Sequence, residues 1–282
     1  MLSPFNPFTY LCTGNKYVRN MKQTNDNVKT FSSSEARKIL IAMRQGRWRE
    51  TIGLLEPLAE SGNSEAMYWM GERLQVAMRI LNPDASSKRK YIMIRADKEK
   101  AWMWMERSAE KDYPKALFWL GYQYYTGRLG CEKNEEKAFT YFERAAQLGN
   151  IPATYYLSQC YQYARGTRLD HDKSISLCKQ AAIVGYPKAE YELSRMYLAG
   201  RDVENSTFGP VSPNPAKAFE WCEKSADHGY VVAIYKLGEY YLNGTGVEKD
   251  LEKAAFWLRK AANRHLVNAK ELLDTIEPLP VH

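Results

Sequence analysis

Disulfide frameworks, zinc sites and membrane spans are the first things this sequence lacks. Its 282 residues include only five cysteines, none in a C-x-x-C pair and none closely spaced with a histidine. Free thiols in a reducing compartment are expected instead. No apolar run approaches the roughly 18 to 20 residues of a transmembrane helix. The N-terminus has no basic segment, and Pro4 and Pro7 interrupt it before a secretory core could form. With Met1 as the true start, a cytoplasmic setting is expected. The four histidines, His171, His228, His265 and His282, are scattered, and no H-E-x-x-H, G-x-S-x-G or Walker sequence occurs. Gly244-Thr245-Gly246 follows no strand pattern, so it does not read as a phosphate loop. These absences disfavour an enzyme and leave no cofactor or metal to expect.

Charge of one sign is also scarce over most of the chain. Residues 1–100 hold 17 Lys and Arg against 10 Asp and Glu, whereas residues 101–282 hold 23 against 23. The net charge of +7 therefore sits in the first third. A uniformly basic nucleic-acid binder is disfavoured, and a local basic patch is left open.

What is present is repetition. Lys100-Ala101-x-x-Trp104 recurs as Lys137-Ala138-x-x-Tyr141, Lys173-Ser174-x-x-Leu177, Lys217-Ala218-x-x-Trp221 and Lys253-Ala254-x-x-Trp257, with steps of 37, 36, 44 and 36 residues. Eight and nine residues after each lysine stands a small pair, from Ser108-Ala109 to Ala261-Ala262. Three residues before each lysine stands Asp97, Asn134, Asp170, Asn214 or Asp250, the residue types that cap a helix N-terminus. This defines a helix, here called B. Gly149, Gly185 and Gly229 supply its left-handed stop.

A second helix, A, precedes each B. Its signature is Ala116-x-x-x-Leu120-Gly121-x-x-Tyr124, repeated from Ala153, Ala189 and Ala233 and begun from Ala66. The small first and sixth columns allow another helix to approach closely. Each A–B hairpin presents too much apolar surface to stand alone and must be covered by the next copy. The predicted fold is all-α, an α-solenoid of stacked helical hairpins over residues 34–282. It has a degenerate repeat at 36–62, fuller repeats at 66–110, 116–149, 153–185, 189–229 and 233–265, and a capping helix at 269–277. Residues 1–33 read as a flexible arm. Two copies carry long A-to-B insertions, between Leu74 and Asp97 and between Gly200 and Asn214.

The Ala-x-x-x-Leu-Gly-x-x-Tyr column, the Gly244-Thr245-Gly246-Val247 turn, the Asp250 cap, the Lys253-Ala254-x-x-Trp257 phrase and Ala261-Ala262 resemble the Sel1-like repeat, a relative of the tetratricopeptide repeat. Departures include Ser158 and Ser194 for Gly, Leu177 for the aromatic and His265 for the closing Gly. The resemblance implies a right-handed superhelix and a protein-interaction scaffold. Its members include adaptors, and bacterial immunity proteins that neutralise toxins.

Candidate binding residues follow from the A helices, which would line the concave side of such a superhelix. Tyr68, Phe118, Tyr155, Tyr191 and Tyr235 share one column; Trp69, Tyr122, Tyr125, Tyr156, Gln159, Arg195 and Glu239 stand beside it. Tyrosine and tryptophan combine large contact area with a polar tip. The repeating members could equally serve inter-repeat packing, whereas Tyr122, Tyr125 and Tyr156 change type between copies and point to a partner. The expected partner is a protein or peptide. Lys88, Arg89, Lys90 and Arg95 in the first insertion read as a solvated loop or a second contact. Binding of nucleic acid or another anionic surface through the basic first third is the alternative, weakened by the lack of any nucleic-acid motif. Oligomeric state is open.

Overall fold

A computed structural model describes residues 30–75, 78–81, 91–94, 96–205 and 207–276, with backbone alone for 78–81, 91–94 and 207–210. Residues 1–29, on which most of the expected arm falls, lie outside the described residues. The chain divides into two compact units: Met1–Lys133 with Gln147–Gly149, and Asn134–Ala146 with Asn150–His282.

The first unit contains α1 (Ser33–Arg44), α2 (Trp48–Glu60), α3 (Ser64–Leu74), β1 (Met78–Leu81), β2 (Tyr91–Ile94), α4 (Lys98–Glu110) and α5 (Pro114–Thr126). The second is built from α6 (Glu135–Gln147, less its last residue), α7 (Ile151–Gln162), α8 (His171–Ile183), α9 (Pro187–Leu198), β3 (Arg201–Asp202), β4 (Thr207–Pro210), α10 (Pro215–Asp227), α11 (Val231–Asn243), α12 (Leu251–Ala262) and α13 (Val267–Ile276). Within each unit, hairpins stack on hairpins, the arrangement of an α-solenoid.

The B helices start where the repeated Asp and Asn residues predict. Side chains of Asp97, Asn134, Asp170, Asn214 and Asp250 accept the backbone N–H of the residue three further on, at 2.9–3.0 Å. That residue is the recurrent lysine, and its side chain has further roles. Lys173 and Lys253 pair with their own caps at 3.2 Å and lie 5.2 and 5.3 Å over Tyr161 and Tyr241 of the preceding A helix. One residue type thus ties the start of B to the end of A.

Close approach of A and B rests on the sixth column of A. A Cβ added at Gly238 would come within 2.7 Å of Leu258, and one at Gly71 within 2.8 Å of Met105 and 3.0 Å of the Ala101 carbonyl. Ser194, in the same column, instead donates its hydroxyl to the Ala218 carbonyl at 2.6 Å. Ala101, Ala218 and Ala254, each directly after a recurrent lysine, therefore face this column. Ser108 and Ser225, from the small pairs, donate to the first-turn carbonyls of Ser64 and Pro187 at 2.7 and 2.6 Å. Each such bond contributes on the order of 1 kcal/mol net.

Next-neighbour contacts complete the cores. In the second unit Cys178 and Cys222 are fully buried and lie 3.6 and 3.5 Å from the carbonyls of Ala189 and Ala233 on the following A helix. Burial pushes the Cys222 thiol up to about 12, as it does that of Cys160. These thiols pack as small apolar groups and are not poised as nucleophiles. Among the described residues, Cys131, Cys160, Cys178 and Cys222 form no disulfide.

The two insertions, which the sequence reading leaves as loops, each contain a two-stranded antiparallel ribbon. Met78 pairs with Ile94 through Leu81 with Tyr91, and Arg201 pairs with Pro210. The second insertion is tied to the helices: Lys179 donates to the carbonyls of Val203 and Glu204 at 3.1 and 2.8 Å, and Tyr197 donates to the Glu204 carboxylate at 2.8 Å.

Turns after the A helices impose one strict requirement. Gly246 has φ of +71°, and a Cβ there would meet the Pro215 carbonyl oxygen at 1.9 Å; Gly166, one turn type away in α7's loop, would meet that of Glu135 at 2.0 Å. Gly46 has φ of +65° with nothing within 4 Å of its added Cβ. Gly246→Ala is therefore expected to cost about 1–3 kcal/mol more than Gly46→Ala, the excess arising from overpacking rather than from φ. Urea unfolding of the two variants checks it, and equal losses would refute the packing explanation.

Candidate functional site

In the first unit the aromatic column is mostly spent on packing. Tyr68 is 2% exposed, with its ring 5.4 Å from those of both Trp69 and Tyr113. Phe118 is 4% exposed and packs on Tyr122 at 6.1 Å. Trp69, Tyr122 and Tyr125 are half-buried. Lys115 lies 5.7 Å over Trp69, and Arg73 lies 5.9 Å over the same ring, so this face combines aromatic surface with cations.

The second unit carries the other predicted residues. Tyr155, Tyr191 and Tyr235 are half-buried, Gln159 and Glu239 likewise, and Arg195 is exposed. Tyr155 packs at 5.4 Å on Tyr186, and Tyr191 at 5.5 Å on Tyr230. Burial raises all three column phenols, that of Tyr191 to about 12, so they stay protonated donors at neutral pH. Tyr156 behaves differently. It is 7% exposed, its ring stacks on Phe142 at 5.4 Å, and its hydroxyl accepts from Lys188 at 3.0 Å, which leaves little ring for a partner.

Two features escape the sequence reading. Tyr113, Tyr186 and Tyr230 stand immediately before an A helix and cover the column tyrosine of the preceding A helix in the same way each time. Their signal was a fixed position before the A helix, shared in the other copies by Asn63 and Asn150, whose side chains cap instead. The second feature is charge. Glu192 and Lys236 occupy the column held by Trp69, Trp119 and Tyr156 in earlier copies. Glu192 pairs with Arg195 at 2.9 Å and Lys236 with Glu239 at 3.0 Å, giving α9 and α11 matched ion pairs beside the half-buried tyrosines. Arg195 also senses Tyr191 and the half-exposed Tyr163.

Lys88, Arg89, Lys90 and Arg95 lie outside the described residues. Among the described residues no group of three His, Cys, Asp or Glu side chains could hold a metal, and no helix is long and apolar enough to cross a membrane.

Glu190 is the least expected residue of the second unit. It is 2% exposed, in a column otherwise filled by Met67, Leu117, Thr154 and Ile234, and it meets His228 Nδ1 at 2.8 Å. Lys224 and Asp227 also face it, and burial raises its carboxyl above the usual value of 4.5. A folded-state pKa above the unfolded one means that the stabilising proton is in place at low pH and is lost as pH rises through the folded value. Urea unfolding of Glu190→Gln should therefore show a stability gain over the parent that grows from about pH 4.5 towards neutrality. Parallel curves would mean that this carboxyl does not set the dependence.

The Sel1 repeat family matches the chain in five consecutive stretches, residues 91–113, 114–150, 151–186, 187–230 and 231–265. The chitin synthase regulator SKT5 of Saccharomyces cerevisiae is 33% identical over 103 residues, which are 36% of this chain and 15% of that protein. A Sel1 repeat protein of Oxalobacter formigenes has a similar fold, with a TM-score of 0.66 and 26% identity, over 86% of this chain and 66% of that one. The immunity protein Pa5087 of Pseudomonas aeruginosa shares the fold at a TM-score of 0.52 and 18% identity, over 91% of this chain and 92% of that one. With the match spanning most of the chain in unbroken phase with its helical hairpins, this protein belongs to the Sel1 repeat family.

Proposed function

We propose that this chain is a non-enzymatic adaptor that holds a protein or peptide partner on the A-helix face of its second unit. Sel1 repeat proteins mediate protein–protein interaction, which sets the class. The observation that carries the surface is the coincidence of half-buried Tyr155, Tyr191 and Tyr235 with the Glu192–Arg195 and Lys236–Glu239 pairs on α7, α9 and α11. Rigid tyrosines supply area at small entropic cost, and the adjacent ion pairs supply directional contacts at a solvated rim. Arg195 is exposed while its partner Glu192 is buried, and Lys236 and Glu239 are half-buried, so each pair holds a polar group in place at the edge of the tyrosine surface.

Two narrower forms use the same surface. One is regulation of an enzyme, as the name of the yeast relative has it; the other is an immunity role, as that of the Pseudomonas protein has it, which would here be neutralisation of a toxin. The yeast similarity covers 15% of that regulator, and the Pseudomonas similarity is one of fold. For the toxin form, co-expression with the product of a neighbouring toxin gene should restore growth; toxicity left unrelieved sinks that form alone.

The surface itself is tested by partner capture with the tagged chain, quantified by mass spectrometry, against the variant Arg195→Glu/Tyr235→Ala/Glu239→Lys. A loss of about tenfold or more in the captured partner is expected, the size typical of hot-spot residues. Undiminished capture by a variant with the parent's circular dichroism would remove the proposal.

A further inference from the structure

Helix α1 has two chemically distinct faces. One buries Ile39 and Ala42, and Ile39, with half-buried Met43, joins the cluster formed with Leu55, Ala59, Ala66, Met67 and Met70. The other carries Arg37, Leu40, Ile41 and Arg44, spaced i, i+3, i+4 and i+7 and therefore on one stripe. All four are exposed, Leu40 by 48% and Ile41 by 42%. Lys38 borders the stripe, and Arg47 and Arg49 follow where α2 begins. Residues 33–50 thus hold five cations against Glu35 and Glu50. Both acids are engaged locally, Glu35 in the capping box with Ser32 and Glu50 with Arg47.

Solitary exposed aliphatics such as Val267 need no explanation. An adjacent aliphatic pair bracketed by guanidinium groups one turn away on either side is a different arrangement, because it offers apolar cover and bidentate carboxylate recognition together. We propose that the Arg37, Leu40, Ile41 and Arg44 stripe docks an acidic amphipathic segment of a partner protein. The segment's apolar side chains cover Leu40 and Ile41 while its carboxylates meet the two arginines. The stripe's residues all belong to the first unit, whereas those of the A-helix face proposed above belong to the second.

Charge complementarity selects this occupant over the others. Residues 1–29 carry Lys16, Arg19, Lys22 and Lys29 against Asp26, the same sign as the stripe, so their charge does not complement it. A second copy docked stripe on stripe would set like charges against each other. Single-stranded nucleic acid stacks its bases on aromatic rings, and the stripe has none. Helices that lie in a membrane interface insert their broad apolar face, whereas the broad face of α1 is turned into the protein core.

The test uses the full chain and a display library of random 12-residue peptides, panned on the parent and counter-selected on two variants, Leu40→Ser/Ile41→Ser and Arg37→Glu/Arg44→Glu. Enriched sequences should place Asp or Glu beside Leu, Ile or Phe at helical spacing. The synthesised winners should bind each variant about tenfold or more weakly by fluorescence anisotropy, a difference of about 1.4 kcal/mol. Where charge reversal lowers the melting temperature, Arg37→Gln/Arg44→Gln takes its place. A winning pool without the acidic and apolar pattern, or winners that bind parent and variants alike, would overturn the proposal. So would labelled poly(U) or phosphatidylserine vesicles that bind the stripe while no peptide does.

Discussion

Everything in this fold depends on how closely helix B can lie against helix A. At Gly71 and Gly238 the space for a Cβ is already occupied by Met105 and Leu258, so the sixth column of A tolerates almost nothing beyond the backbone. Ser194 shows the single variation the geometry rewards, a hydroxyl that bonds the facing Ala218 carbonyl. Once the helices are that close, the residue after each recurrent lysine must itself be small, and it is alanine in four copies and Ser174 in the fifth. The lysine then falls where it can pair with its own cap and cover the tyrosine at the end of A. The five-column phrase that repeats along the chain is the footprint of this one contact.

That dependence explains which parts were legible in the sequence. Asp97, Asp170 and Asp250 announced their helices because a cap is a local hydrogen bond with a narrow choice of side chains. Left-handed helix stops were legible as glycines, and where glycine is missing the backbone keeps the conformation: His265 has φ of +65° and Asp112 has φ of +57°. The ribbons were not legible. Each occurs once in its own repeat, so no second copy exposed a pattern, and short strands in an otherwise helical chain are fixed by pairing to each other and not by period.

The candidate site was legible in part, for a physical reason. Column position reports where a side chain stands on the helix but not how much of it the next repeat covers. Tyr155 and Tyr156 are sequence neighbours with similar chemistry, yet one is half-buried beside Tyr186 and the other is sealed between Phe142 and Lys188. A change of residue type between copies is thus an imperfect marker of exposure. Where an aromatic gives way to a charge, as at Glu192 and Lys236, the new group is answered on its own helix, by Arg195 and Glu239.

In a repeat protein each copy serves as a control for the others, and this separates structural from functional oddities. Glu190 replaces an apolar residue in its column, but His228 answers it from the end of α10, where other copies have Lys111, Leu148, Val184 and Arg264. The substitution is compensated inside its own hairpin and asks for nothing outside. Arg195 is also paired, with the buried Glu192, yet its own guanidinium is exposed and has further donors to offer. Leu40 and Ile41 on α1 have no counterpart that covers them within the first unit's core cluster. The useful distinction is therefore not whether a residue departs from the repeat but whether the departure is closed within the chain. Those left open are where a partner's chemistry can be read.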